Sequence, residues 1–270
     1  MPESPEVQAL AEFLDGRIAG HVVADTDLVE FRALKTRTRP LDELVGRTVA
    51  AVGRHGKHLD LVFDDVHLVV SLGRHGWARW AEPGAPGEES TDPPVLGSLT
   101  MDDGGMLDFT DAGDWVSLGL SVVDDARSVP AIAKLGPDPA DPAFTRADFD
   151  RAVRGRRKQI KALLQEQESL VGIGNAYSDE ILHAARISPL THASALDEDA
   201  LARLHEATVG TVREAIAARR GIPIDRLKEA KTAAMRVHGR TGEACPVCGG
   251  AIEDFRAGST VAQYCPVCQA

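Results

Sequence analysis

Residues 245–269 read CPVCGGAIEDFRAGSTVAQYCPVCQ and hold every cysteine in the chain. Two Cys-x-x-Cys pairs stand 16 residues apart. Each such turn aims two thiolates at one point, and a β-hairpin between them brings the points together. Four thiolates leave a tetrahedral ion no open position. Cys245, Cys248, Cys265 and Cys268 are therefore expected to hold one zinc ion, structural rather than catalytic. The competing reading is two redox dithiols, which the paired spacing at the end of a helical region disfavours.

Upstream of this tail the apolar period is helical. In residues 197–220, Leu201, Leu204, Val209 and Val212 recur at helical spacing. Two shorter amphipathic stretches, 159–167 and 176–187, precede it, and Thr145 can cap a helix running through Phe149 and Val153. Residues 170–175, LVGIGN, place Gly172 and Gly174 in a tight turn with Asn175 at the start of a helix. Backbone amides at such a start can grip a phosphate, although an ordinary glycine turn reads the same way. Further back, Pro130, Pro137, Pro139 and Pro142 mark a linker.

From about residue 20 to 125 the pattern changes to short Val- and Leu-rich runs (VVAD, TVAAVG, LDLVF, HLVVSLG, WVSLGLSVV) broken by Gly, Asp and Pro. Strands this short and frequent suggest a sandwich or barrel. Residues 82–97 read as a Pro/Gly/Glu loop. At the start of the chain, Ser4 can cap a helix, Pro5 suits its first position, Glu6 suits its dipole, and Gly16 can end it. The expected fold is α+β and multidomain. An N-terminal helix plus β-sandwich domain covers 1–130, a linker 131–144, a helical domain 145–235, and a zinc-ribbon hairpin finger 236–270.

Net charge is −11, which by itself argues against a polyanionic partner. The charge is uneven, however. Residues 151–161, RAVRGRRKQIK, carry six bases and no acid, whereas 81–130 carry eleven acids and one base, Arg127. Such asymmetry permits a basic nucleic-acid face, and a solvated helix face reads the same. No apolar run reaches the ~18 residues of a membrane span, and the N-terminus lacks the basic and apolar stretches of a signal peptide. A cytoplasmic protein without membrane association is expected.

Two further places carry candidate chemistry. Once Met1 is removed, Pro2 presents a secondary amine with an ordinary pKa near ~8, partly neutral and nucleophilic at neutral pH. Attack of that amine on C1′ of a deoxyribose gives a Schiff base, with Glu3 and Glu6 near enough for acid–base steps, and a plain helix start with Pro and Glu in its first turn reads the same way. Lys57, after Gly56 and before a strand, is expected to project from a hairpin turn.

Together these pieces resemble the formamidopyrimidine-DNA glycosylase / endonuclease VIII family. That family opens PELPEVE, against PESPEVQ at 2–8 here. Its LGP(D/E)P appears at 135–139. Its helix-two-turn-helix appears as Ile160 and Lys161, then 171–175, then Asp179 and Glu180. Its (Y/H)GR-x-G-x-x-C-x-x-C run appears at 238–248. The resemblance implies a bifunctional DNA glycosylase/AP lyase that acts on oxidised bases and abasic sites in duplex DNA by β,δ-elimination, as a monomer. It assigns Pro2 as nucleophile, Glu3 as general acid/base, Lys57 as a catalytic DNA contact and Glu6 as support of the N-terminus. DNA contacts would fall to Lys161, Asn175, Arg240 and Arg256.

Four departures stand against the family pattern. The void-filling methionine of HLGMSG is Arg74 in SLGRHG, whose guanidinium can stack on bases instead. The loop TDPRRFG is replaced by TDAGDW at 110–115, without the arginine and phenylalanine that wedge the opposite strand. Thr260 stands where the finger arginine is usual, leaving Arg256 nearby, and Ser4 replaces a leucine. The sugar chemistry is thus better preserved than duplex probing. A protein that binds abasic DNA without turnover is the alternative.

Overall fold

The computed structural model of the 270-residue chain describes residues 1–85, 93–257 and 260–270. The chain divides into two compact units. One comprises residues 1–2, 7–133 and 220–226, and the other 3–6, 134–219 and 227–270. The chain passes from the first unit to the second between residues 133 and 134. The finger, expected as a domain of its own, groups with the helices.

The first unit contains most of helix α1 (Ser4–Ile18). Val7, Leu10, Ala11, Leu14 and Ile18 form its wholly buried stripe. The helix does not stop at Gly16. It runs on to Ile18, and Gly20, at φ +88°, makes the left-handed turn that ends it. Two antiparallel four-stranded sheets follow. The first joins β1 (Val23–Asp27), β6 (Val95–Met101), β7 (Met106–Asp111) and β5 (Gly76–Ala81) in that order. The second joins β2 (Ala51–His55), β3 (His58–Val62), β4 (His67–Ser71) and β8 (Gly119–Val123). The expected loop at 82–97 is shorter than its sequence suggests, because β6 begins at Val95. Its residues 86–92 lie outside the described part of the structure. A short helix, α2 (Pro130–Ala133), closes the unit.

In the second unit, Thr145 caps α3 (Arg146–Val153) in a capping box with Asp148. Helices α4 (Ile160–Leu164), α5 (Asn175–Ala185), α6 (Glu198–Arg219) and α7 (Leu227–Ala234) follow. Their core runs from Phe149 and Val153 through Ile160, Leu163, Ile181 and Leu182 to Leu201 and Leu204. The proline-rich segment lies against this unit. Gly136 donates to the carbonyl of Gln167, and a Cβ there would stand 2.6 Å from Glu168 O. The finger hairpin pairs β9 (Glu253–Ala257) with β10 (Thr260–Tyr264).

Candidate functional site

The sharpest turn of the second unit sets the site. Gly172 (φ +88°) and Gly174 lead into α5, whose first amides have no partner within the helix. The Glu3 carboxylate occupies that position. It accepts from the amides of Gly174, Ala176 (3.1 Å) and Tyr177 (3.4 Å). Side chains at either glycine are excluded by contact. A Cβ on Gly172 would fall 1.6 Å from Ser4 Oγ, and one on Gly174 would fall 2.6 Å from Glu3 Cδ. An internal carboxylate thus takes three of the amides at this helix start, for the dipolar reason that would also draw a phosphate there.

Glu6 is one turn along α1. It accepts from the Glu3 amide (3.1 Å) and from the Tyr177 hydroxyl (2.8 Å), and Arg219 Nε lies 3.6 Å away. Lys231 of α7 donates to Glu3 (3.0 Å), lies 3.2 Å from Glu6, and sits 4.9 Å from the centre of the Tyr177 ring. Burial lowers the Lys231 pKa, but the Glu3 and Glu6 carboxylates outweigh it and the net shift is upward. The same burial, beside Glu6, raises the Tyr177 phenol far above its usual range, so it donates and does not ionise. Tyr177, Arg219 and Lys231 were not singled out from the sequence. A tyrosine or arginine inside a helical period carries no local signal of a partner far away in the chain.

The assigned DNA contacts divide. Lys161 is 2% exposed, and its ammonium donates to Asn175 O (3.1 Å), Ser178 Oγ (2.7 Å) and Asp179 Oδ1 (2.5 Å). An ammonium has three donors. All are used inside the protein, where Lys161 braces α4 against α5. Asp179 also accepts from His238 (2.7 Å) and the Gln263 amide (3.2 Å), while Glu180 receives the amides of Arg236, Val237 and His238. The two adjacent acids of α5 thereby hold the finger. Asn175 shares in this, donating through Nδ2 to Val261 O at 2.9 Å, and remains half-buried.

Other bases of the 151–161 run are paired as well. Arg151 meets Asp148, Arg154 meets Asp150 and Glu198, and Arg156 and Lys158 meet Glu166. Arg157 is exposed with no acidic partner among the described residues. Arg240 is tied to Glu243 (2.9 Å) and to the carbonyl of Met235, whereas Arg256 is exposed on β9.

In the first unit, Lys57 stands at the second position of a two-residue turn between β2 and β3. Gly56 supplies the positive φ (+59°) at the first position, the pattern of a II′ hairpin. Arg54 fastens the turn, donating to Gly56 O (3.2 Å) and to Gln8 of α1 (2.7 Å). Arg74 is exposed between β4 and β5. Ser117 Oγ joins that turn to the following loop, accepting from the amides of Arg74 and His75 and donating to Asp111 (2.8 Å). Asp111 also takes the amides of Gly113, Ser117 and Leu118, leaving Trp115 at the loop tip 81% exposed.

In the finger, the four cysteine sulfurs lie within 4.8 Å of one another. The pairs Cys245–Cys268 and Cys248–Cys265 are 3.9 and 3.4 Å apart. A tetrahedral zinc with ~2.3 Å bonds requires sulfurs ~3.8 Å apart, so the donor set fits the ion in number, softness and spacing. His183 Nε2 lies 3.2 Å from Cys245 Sγ, linking α5 to the cluster. No described helix is long and apolar enough to cross a membrane.

Comparison with known proteins agrees with this architecture. Residues 1–114 match the formamidopyrimidine-DNA glycosylase N-terminal domain and 135–225 that enzyme's H2TH domain. Residues 242–270 match the zinc finger found in FPG and IleRS. The formamidopyrimidine-DNA glycosylase of Exiguobacterium sibiricum is 32% identical, covering all of this chain and 99% of the relative. That of Heliobacterium modesticaldum is 34% identical over the whole of both chains. Among solved structures, the Lactococcus lactis enzyme bound non-covalently to AP-site DNA superposes with a TM-score of 0.84 at 27% identity, covering 99% of each chain. A complex of the same enzyme with Fapy-dG DNA gives 0.85 at 28% identity, covering 98% of each.

Proposed function

Because the chain belongs to the formamidopyrimidine-DNA glycosylase family, we propose that it excises damaged bases from duplex DNA and cleaves the strand at abasic sites, with Pro2 as nucleophile. The observation that carries this reading is the seating of Glu3. The residue next to Pro2 is a buried carboxylate held by three backbone amides and an ammonium. A first turn serving only to start a helix has no need of that arrangement.

On this reading Met1 is removed and the Pro2 nitrogen bonds to C1′ of the damaged sugar. Excision displaces the base, which leaves protonated, and the C1′–O4′ bond then breaks with a proton going to O4′; at an abasic site, the amine adds to the ring-opened aldehyde and water is lost. Either route gives an iminium. A carboxylate then takes a proton from C2′, the electron pair moves into the C1′–C2′ bond, and the 3′-phosphate departs. Glu3 is the proposed base and Lys57 a contact to the DNA near the lesion. Zinc supplies no chemistry; it holds the hairpin. The reading places the protein in the cytoplasm, with duplex DNA as partner.

The test is cleavage of a duplex with one abasic site by wild type, Pro2→Gly and Glu3→Gln. Wild type is expected to cut, with both variants reduced by about two orders of magnitude or more. A second reading is binding without turnover. Specific, salt-sensitive binding with no cleavage by protein lacking Met1 would establish it.

A further inference from the structure

We propose that Lys231 is a positioning residue for the Glu3–Glu6 carboxylate pair, holding Glu3 aimed and ionised for proton transfer. The role in proton transfer rests on the lyase reading above, whereas the holding of the pair does not.

Glu3 and Glu6 are 2% and 1% exposed and stand one helical turn apart. Two buried carboxylates this close favour uptake of a proton unless cations balance them. Lys231 Nζ touches both, at 3.0 and 3.2 Å, and its side chain is 13% exposed. Arg219 faces only the Glu6 side, at 3.6 Å. Lys161, the other interior ammonium, hydrogen-bonds Asp179 and acts on Glu3 only through a weaker attraction at longer range. The Tyr177 hydroxyl donates to Glu6 and its ring underlies Lys231. These groups come from α1, α4, α5, α6 and α7. Among the described residues, Lys231 is the cation shared by the two acids.

Lys231 is not a rival nucleophile. Two carboxylates keep its amine protonated, and a protonated amine has no electron pair for C1′. Its place on α7 matters too. Leu227 buries the start of that helix, and the turn down to Lys231 aims the ammonium at the start of α1.

The test uses the full-length zinc-loaded protein and four forms: wild type, Lys231→Met, Lys231→Arg and the double variant Lys231→Met/Glu6→Gln. The carbon-13 shift of the Glu3 side-chain carboxyl is followed against pH, which needs no catalysis. Single-turnover cleavage of abasic duplex is measured over the same range. Lys231→Met is expected to move the Glu3 titration and the acid limb of the rate profile together to higher pH by about one unit or more, lowering the rate about tenfold on that acid limb. Lys231→Arg should keep both near wild type. If Lys231→Met alone does not fold, the double variant, which removes one anion with the cation, should fold and titrate Glu3 near the wild-type midpoint. Unchanged titration in folded Lys231→Met, or an equal shift in Lys231→Arg, overturns the proposal. Wild type that titrates as expected but does not cleave overturns the lyase reading and leaves the positioning claim standing.

Discussion

Lys161 and Asp179 form a buried ion pair, 2% and 1% exposed, whose second carboxylate oxygen reaches His238 and the Gln263 amide. Replacing Lys161 by Met leaves that anion without its cation, a loss of about 3–5 kcal/mol. Urea unfolding should show the loss. If Lys161 served DNA instead, the variant would keep its stability and the salt slope of binding would fall by about one. Acid sensitivity is also a residue-scale property. Burial lowers the His58 pKa, and His55 and Lys57 add to that against one backbone hydrogen bond. For Asp60, burial raises the pKa, but hydrogen bonds from His55 and His67 more than offset it, so the net shift is downward. In both cases the unfolded chain binds protons more readily than the folded one, so stability falls as pH falls. The loss begins below ~6.5 for His58 and below ~3.9 for Asp60. Melting temperature measured from pH 8 to 5 should decline, and His58→Gln should flatten that slope.

At the scale of elements, Gly172 shows how a turn and a site constrain each other. Its φ of +88° disfavours any side chain, and Ser4 Oγ fills the space a Cβ would need. Gly172→Ala should therefore cost about 1–3 kcal/mol, with cleavage impaired because Glu3 shares the turn. Stability and single-turnover rate, measured together, check both. The 112–118 loop makes a different prediction. Its backbone is fixed by Asp111 and Ser117 while Trp115 stays 81% exposed. Trp115→Ala should leave the melting temperature unchanged and weaken affinity for abasic duplex by about 1–3 kcal/mol, the worth of one base stack. Equal affinity would show the indole has no part in binding.

What was legible in the sequence follows the same division. Thr145, Gly56 and the cysteine turns act on close neighbours, so their capping box, hairpin and cluster could be read locally. Helix α7 was missed because its eight residues bury only Leu227 and show no repeating stripe. Strands β5 and β7 carry Trp, Arg and Asp amid their apolar residues, which blurs the alternation. The family motifs pointed to Glu3 and Lys161, yet their partners come from distant parts of the chain. Only the fold supplies those.

For the molecule as a whole, net charge −11 and a largely neutralised basic run imply few phosphate contacts. The log–log salt slope of duplex binding should accordingly be shallow, near that of a few phosphates. Removing zinc with a chelator should release the 236–270 segment and abolish duplex binding while the first unit keeps its β-sheet signal in circular dichroism. Loss of both together would mean that the zinc supports more than the finger.

The central claim is that Pro2, with Glu3 beside it, performs the chemistry. Reduction with borohydride during reaction on an abasic-site duplex, followed by mass mapping of the adduct, tests it most directly. The account predicts a trapped protein lacking Met1, with the reduced sugar on the Pro2 nitrogen. An adduct on Lys57 or Lys231, or no adduct from protein whose Met1 is gone, would contradict it.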